Sequence, residues 1–292
     1  MRAFALAVSA IAAASVSAGG CRGTAPQSEP AAPPPAESAL VAQARDALKR
    51  AESAPLPTPL PLPSPLPKGW KPQAAPELKP EEIEAIRLLE QAAAAEPGQH
   101  QPHELLARVL EPYALRQYER ALAARGKKTP PPEPPDQGVD LSPARVARAY
   151  RAGIEADPGA SDLIDPLIAF ASKVDDLDTM DWAYQEVIRR AKEKDTVRPR
   201  VRYGDFLRER RVDVLAAAEQ YRGALMWAPD DAAIRAKLAD LYLALARQHY
   251  LQRQYAGAEL RLGQAAKFVG DPASPQGRML EDYRQRLSAI RR

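Results

Sequence analysis

The side chains best suited to chemistry are two histidines, His100 and His103, which lie three residues apart and precede Glu104. Two imidazoles and a carboxylate on one helix face bind zinc when a further ligand completes the site. Pro102 stands between the histidines and marks the first turn of a helix, where we expect both rings to be exposed. We therefore predict neither a metal site nor another cofactor.

Three pairs of adjacent acids have the residue type used in general acid–base catalysis: Glu81-Glu82, Asp175-Asp176 and Asp230-Asp231. The first and third precede periodic apolar segments, where a negative charge interacts favourably with the start of a helix. A glycosidase would also need an aromatic-rich cleft, and the chain has only 3 tryptophans. The sequence contains no phosphate-binding loop, dinucleotide-binding glycine motif or Gly-x-Ser-x-Gly motif. We predict that the chain is not an enzyme; a cell-wall carbohydrate-active enzyme on a helical scaffold is the alternative.

Basic residues concentrate in residues 189–211, the basic cluster, which holds ten Lys and Arg side chains and four acids. One interpretation is a solvated turn between two helix pairs. The other is a contact for anionic groups, such as the acidic face of a partner, lipid phosphates or a cell-wall polymer. The net charge is only +3 over 292 residues, whereas a nucleic-acid-binding protein usually carries a larger basic excess. We predict no nucleic-acid partner.

The N-terminus has the pattern of an export signal. Arg2 precedes an apolar run from Ala3 to Val16, and small residues continue to Cys21, the only cysteine. The run is too short for a stable transmembrane helix, which needs about 20 apolar residues. Ser17-Ala18-Gly19-Gly20-Cys21 resembles a bacterial lipobox, although Ala18 stands where leucine is usual.

The lipobox resemblance implies a signal peptide over residues 1–20 and a lipid-modified Cys21. Arg22 follows the cysteine in place of the aspartate that retains such proteins in the inner membrane. The resemblance therefore implies an outer-membrane lipoprotein that faces the periplasm or is exposed on the cell surface. The alternative is an ordinary secretory signal that leaves Cys21 as a free thiol.

Residues 21–76 have the composition of a tether. Of the 30 prolines, 15 fall between Pro26 and Pro80, and each one removes a backbone donor. The alternation of proline in Pro55–Pro67 predicts a polyproline II spacer on the order of 40 Å long. Residues Ser38–Glu52 can form one short helix, which we expect to be marginal alone.

From residue 77 to residue 292 the apolar residues recur with helical periodicity. Tyr221 is flanked by Ala217 and Ala224 and is followed by Pro229. These spacings resemble the tetratricopeptide repeat, a helix pair of about 34 residues, and Tyr184 follows Tyr150 by one such period. The resemblance implies an all-α fold, an α-α superhelix of the tetratricopeptide (TPR) type, preceded by the signal peptide and a disordered Pro-rich linker. An irregular helical bundle is the alternative.

A solenoid of helix pairs presents a groove built largely by the first helix of each pair. We therefore predict a lipid-anchored scaffold that binds envelope proteins or peptides through groove residues of mixed charge. A structural spacer without a specific ligand is the other alternative. The predicted groove residues are Gln101, Glu104, Arg108, Asp165, Lys173, Arg202, Asp205, Arg208, Lys237 and Asp240.

Overall fold

The computed structural model describes residues 38–55, 77–125 and 136–290, and all regular structure in these ranges is helical. The signal peptide, Cys21 and residues 56–76 of the tether lie outside them. The α-helices of the described ranges are α1 (Ala39–Ser53), α2 (Pro80–Ala95), α3 (Gln101–Ala124), α4 (Pro143–Ala156), α5 (Ile164–Lys173), α6 (Leu177–Arg190), α7 (Val197–Phe206), α8 (Val214–Leu225), α9 (Ala232–Leu251), α10 (Tyr255–Ala266) and α11 (Pro275–Ile290). None of them is long and apolar enough to cross a membrane. The predicted all-α fold is confirmed.

The helices form successive pairs. Each odd-numbered helix from α1 to α9 packs most extensively against the even-numbered helix that follows it, and less extensively against the preceding pair. We call the odd-numbered helices A helices and the even-numbered ones B helices. Apart from a contact between α9 and α11, extensive packing joins only helices that are consecutive in the sequence. This nearest-neighbour packing is the arrangement of a TPR-like solenoid.

The B helices share one register. In four of them the residue eight positions after the N-cap packs in or against the hydrophobic core. These residues are Tyr150, Tyr184, Tyr221 and Leu262, which follow the N-caps Ser142, Asp176, Asp213 and Gln254. Tyr150 and Tyr221 are almost fully buried, so the tyrosines at the repeat positions predicted from the sequence are packing residues.

The A helices share a second pattern, in which a small residue lies between two larger buried ones. Its four instances are Leu106-Ala107-Leu110, Phe170-Ala171-Val174, Tyr203-Gly204-Leu207 and Leu238-Ala239-Tyr242. The approach is very close at Gly204, because a Cβ atom there would lie 2.5 Å from Cε1 of Tyr221. The small residue thus admits the aromatic ring of the paired B helix.

Three of the turns from an A helix to its B helix contain a residue in the left-handed region. Asp175, Val212 and Arg253 have φ values of 56°, 57° and 60°. The residue that follows is the N-cap of the B helix, and the Asp213 side chain accepts a hydrogen bond from the Ala216 amide. Val212 is β-branched, so this conformation carries steric strain there.

Helix α1 forms where the sequence predicts one short helix, but it is not isolated. Its buried face, which includes Val41 and Ala44, packs against α2. The Lys79 ammonium donates hydrogen bonds to the carbonyls of Ala51 and Ala54, at 2.6 and 2.7 Å. The described helical array therefore includes α1, whereas the sequence placed the start of the array at residue 77. Small buried alanine side chains let α1 and α2 approach closely.

Candidate functional site

The predicted groove residues lie on four A helices. Gln101, Glu104 and Arg108 are on α3, Asp165 and Lys173 on α5, Arg202 and Asp205 on α7, Arg208 on the π-helical turn Leu207–Arg211 that continues α7, and Lys237 and Asp240 on α9. We call the surface formed by these helices the groove face. Its charges are mostly paired within the chain.

Three ion pairs connect consecutive A helices along the groove face, and we call them the charge ladder. They are Glu111–Lys173 between α3 and α5 at 3.2 Å, Asp165–Arg202 between α5 and α7 at 2.9 Å, and Asp205–Lys237 between α7 and α9 at 2.5 Å. Partly exposed pairs of this kind contribute about 0–1 kcal/mol each. Between α9 and α11 the pattern changes: Asp240 accepts a hydrogen bond from the Gln276 amide, at 3.1 Å, and pairs with no cation of the described residues.

Two tyrosines of the B helices donate hydrogen bonds to carboxylates of the charge ladder. Tyr150 donates a hydrogen bond to Glu111 at 3.1 Å, and Tyr221 donates one to Asp205 at 2.6 Å. Burial, and then the neighbouring carboxylate, raise the pKa of both tyrosines well above the ordinary value. Both hydroxyls are therefore protonated donors at neutral pH.

The remaining predicted groove residues make local contacts. Arg108 pairs with Glu104 one turn away on α3, at 2.7 Å, and Arg208 pairs with its neighbour Glu209 at 2.5 Å. Gln101 lies in the first turn of α3 and is half-buried. Glu111 was missing from the prediction, although its position seven residues after Glu104 places both on one side of the helix.

The basic cluster is largely occupied by contacts within the chain. Arg190 donates to the carbonyls of Ile154 and Pro158, at 2.5 and 2.9 Å, and thereby covers the C-terminal end of α4. It also pairs with Glu186 at 2.7 Å. Hydrogen bonds from Arg189 first, and then from Arg190, lower the pKa of Glu186 to about 2.

Two further arginines of the basic cluster fix the turn between α5 and α6. Arg210 pairs with Asp175 at 2.6 Å, and Arg211 pairs with Asp178 at 2.5 Å. These arginines connect neighbouring helix pairs. Their pairing favours the interpretation of the cluster as a turn between helix pairs over a contact for anionic groups of a partner. Lys192 and Lys194 lie between α6 and α7, and both are exposed there.

The two histidines are half-buried, so the prediction that both rings are exposed is wrong. His100 Nδ1 lies 2.9 Å from Oδ2 of Asp157, in the loop after α4. His103 packs beside α4, and burial followed by the charge of Arg145 lowers its pKa. The residues that cover the two rings lie on α4 or directly after it, so the sequence of α3 alone does not predict the burial of the histidines. No group of three potential metal ligands converges within the described ranges.

A second feature of the groove face is a cleft of about 700 Å³ between α9 and α11, which we call the C-terminal cleft. A pocket between α6 and α7, lined in part by Tyr184 and Arg202, has a volume of only about 280 Å³. The residues that line the C-terminal cleft are Asp240, Leu243, Ala244, Arg247, Gln248, Leu251, Met279, Asp282 and Tyr283.

The C-terminal cleft exposes large apolar side chains. Leu251 is 69% exposed and Met279 is 47% exposed. Among the described residues, Arg247 has no hydrogen-bond or ion-pair partner. The sequence analysis identified only Asp240 of this cleft.

No family model and no curated protein matches the chain. Among solved structures, a monomeric mutant of IFIT1 with m7Gppp-AAAA is 16% identical, with a TM-score of 0.36; the match covers 72% of this chain and 44% of that one. The chain thus spans less than half the length of IFIT1. PilF of Pseudomonas aeruginosa is 13% identical, with a TM-score of 0.30, and the match covers 86% of this chain and 90% of that one. The designed helical repeat protein DHR64 is 17% identical over 86% of this chain and 94% of its own, with a TM-score of 0.19. Because these scores are low, the description of the fold rests on the chain's own helix pairs.

Proposed function

We propose that this chain is a lipid-anchored scaffold of the bacterial envelope that binds other proteins through its groove face. The observation that carries the proposal is the C-terminal cleft, which is lined by the exposed apolar side chains Leu251 and Met279 together with charged residues. Exposed apolar groups in a cleft with a polar rim are typical of protein-binding surfaces. The anchor rests on the position of Cys21 after the apolar run.

Membrane attachment through Cys21 places the array in the periplasm or at the cell surface. Two or more acyl chains are sufficient for stable anchoring, since each buried methylene contributes about 0.8 kcal/mol. Mass spectrometry of the mature N-terminus tests this step: we expect a chain that begins at a lipid-modified Cys21. The variant Cys21→Ser should leave the membrane fraction, and an unmodified cysteine would contradict the anchor.

Photo-crosslinking in the native envelope tests protein binding. A photoreactive residue at position 251, in the C-terminal cleft, should give a recurrent adduct with one protein or a few. The matched control is position 219, because Glu219 is an exposed residue of α8 that does not line the cleft. Adducts of equal amount and identity at both positions would contradict a specific binding surface.

The charge ladder supports one competing function, that of a structural spacer. Its ion pairs Glu111–Lys173, Asp165–Arg202 and Asp205–Lys237 join consecutive pairs and oppose bending of the array. A spacer needs no partner, so it predicts no recurrent adduct at position 251. If neither position gives an adduct while the anchor is present, the spacer replaces the scaffold.

A further inference from the structure

We propose that the C-terminal cleft binds an amphipathic helix of a partner protein, and that this helix carries one basic and one acidic side chain two turns apart on its apolar face. That the occupant belongs to a protein rests on the proposed function. The residues of α9 and α11 define the rest of its chemistry.

The floor of the cleft is apolar. Leu243 is buried at its base, and Ala244 is exposed one residue further along α9. Leu251 from α9 and Met279 from α11 are exposed large side chains that line the same cleft. An amphipathic helix that inserts apolar side chains between two helices is a recurring mode of recognition.

Three charged residues line the cleft: Asp282 pairs with Arg286 at 2.9 Å, whereas Asp240 and Arg247 have no ionic partner among the described residues. Asp205 on α7 pairs with a lysine of the next A helix, whereas its counterpart Asp240 on α9 has the Gln276 amide as its one partner in the described part of the chain. Arg247 has no partner among the described residues. An occupant that supplies a cation near Asp240 and an anion near Arg247 completes both contacts.

The spacing of these two charges favours a helical occupant. Asp240 and Arg247 are seven residues apart on α9, which is two turns and about 10 Å. Residues i and i+7 of a second helix have the same spacing and lie on one face. An extended peptide covers about 10 Å in three residues, but its residues i and i+3 point to opposite faces. A helix can therefore meet both charges while its apolar side chains fill the cleft.

The probes are three stapled helical peptides of about 18 residues with the same apolar face. They differ only at positions i and i+7, which carry Lys and Glu, two Lys, or two Glu. Fluorescence anisotropy with the full chain measures their dissociation constants. We expect the Lys/Glu peptide to bind most tightly, by roughly fivefold over each of the others. In each of the other two peptides, one exposed ion pair with the cleft is replaced by a repulsion between like charges.

Two charge reversals in the cleft should change this order in opposite directions. The variant Arg247→Glu places acids at both positions 240 and 247 and should prefer the peptide with two Lys. The variant Asp240→Lys places bases at both positions and should prefer the peptide with two Glu. The matched controls Arg222→Glu and Glu219→Lys reverse exposed charges of α8 outside the cleft, and they should leave the order unchanged.

The inference is overturned if no peptide binds up to about 1 mM, or if the order of affinities is the same in the native chain and in both cleft variants. It is also overturned if the chain sediments as a dimer that Leu251→Asp dissociates, because the occupant is then a second copy. These outcomes differ from failure of the proposed function. A scaffold whose cleft binds a partner in a form other than a helix still gives adducts at position 251, whereas a spacer gives none.

Discussion

Tyr221 on α8 donates its hydroxyl hydrogen bond to Asp205 on α7, at 2.6 Å, and the same carboxylate oxygen accepts a hydrogen bond from the Lys237 ammonium on α9, at 2.5 Å. One buried tyrosine thus connects three helices of two successive pairs. The Lys237 nitrogen also lies 5.8 Å from the centre of the Tyr221 ring. The interior packing of one pair and the charge ladder of the groove face are therefore coupled at this point.

Removal of the Tyr221 hydroxyl alone should have a moderate effect. We expect Tyr221→Phe to lower the free energy of unfolding by roughly 1.5 kcal/mol, because the lost hydrogen bond has a charged acceptor. Tyr221→Ala should cost about 3–5 kcal/mol, since it also opens a cavity. Urea unfolding measures both. The control is Tyr255→Phe, at a half-buried tyrosine whose hydroxyl has no hydrogen bond in the described structure; an equal loss there would contradict the role of Asp205.

Gly204 should not tolerate a side chain while Tyr221 is present. The Cβ atom of Gly204→Ala would lie 2.5 Å from the Tyr221 ring, so we expect a loss of about 1–3 kcal/mol from overpacking. In a Tyr221→Leu background, which copies Leu262 of the next pair, the further cost of the alanine should be much smaller. Gly263→Ala is the control, since nothing lies within 4 Å of that exposed position, and it should gain about 0.5–1 kcal/mol. Equal effects at the two glycines would rule out the proposed clash.

Relief of the strained turn at Val212 should stabilise the chain. This valine has φ = 57° and is 74% exposed, so Val212→Gly removes steric strain and little packing. We expect a gain of about 1 kcal/mol. The matched control Leu215→Gly places the same residue inside α8, where it should cost about 1 kcal/mol. Destabilisation by both substitutions would show that the valine is not strained.

The contribution of Glu186 to stability should depend on pH. Its pKa in the folded chain is about 2, below the ordinary 4.5, because Arg189 and Arg190 stabilise its charged form. This stabilisation is fully present above about pH 4.5 and is lost as the pH falls through about 2. Glu186→Gln should therefore be less stable than wild type at pH 6, and the difference should narrow between pH 4.5 and pH 2. Glu219→Gln, at an exposed residue of α8, should show no such trend in the same urea titrations; a constant deficit for Glu186→Gln would show that packing, not charge, is responsible.

The sequence predicts those features that depend on local spacing. Tyr150 and Tyr221 were placed in the core by the repeat period, and both are buried there. The small residues Ala171 and Gly204 belong to the same A-helix pattern as Ala239 and could have been found by the same comparison. Periodicity is sufficient here because each pair packs mainly on its neighbours.

Contacts between distant residues could not be predicted in this way. The sequence places Arg210 and Arg211 in one basic cluster, but their partners Asp175 and Asp178 belong to the preceding helix pair. The C-terminal cleft depends on the approach of α11 to α9, and no repeat position in the sequence marks that approach. A helix-by-helix interpretation therefore identifies the core correctly and overestimates the free charge of the surface.

The contact of Lys79 with the end of α1 has a mechanical consequence. The Lys79 ammonium holds the carbonyls of Ala51 and Ala54, so α1 and the start of α2 are fastened together on either side of the Pro-rich segment. Tension applied through the N-terminus then acts on the interface between α1 and α2 before it reaches residues 56–76. Under the proposed anchoring at Cys21, the distance between the anchor and the array therefore depends on the residues before Ser38 for as long as the interface between α1 and α2 holds.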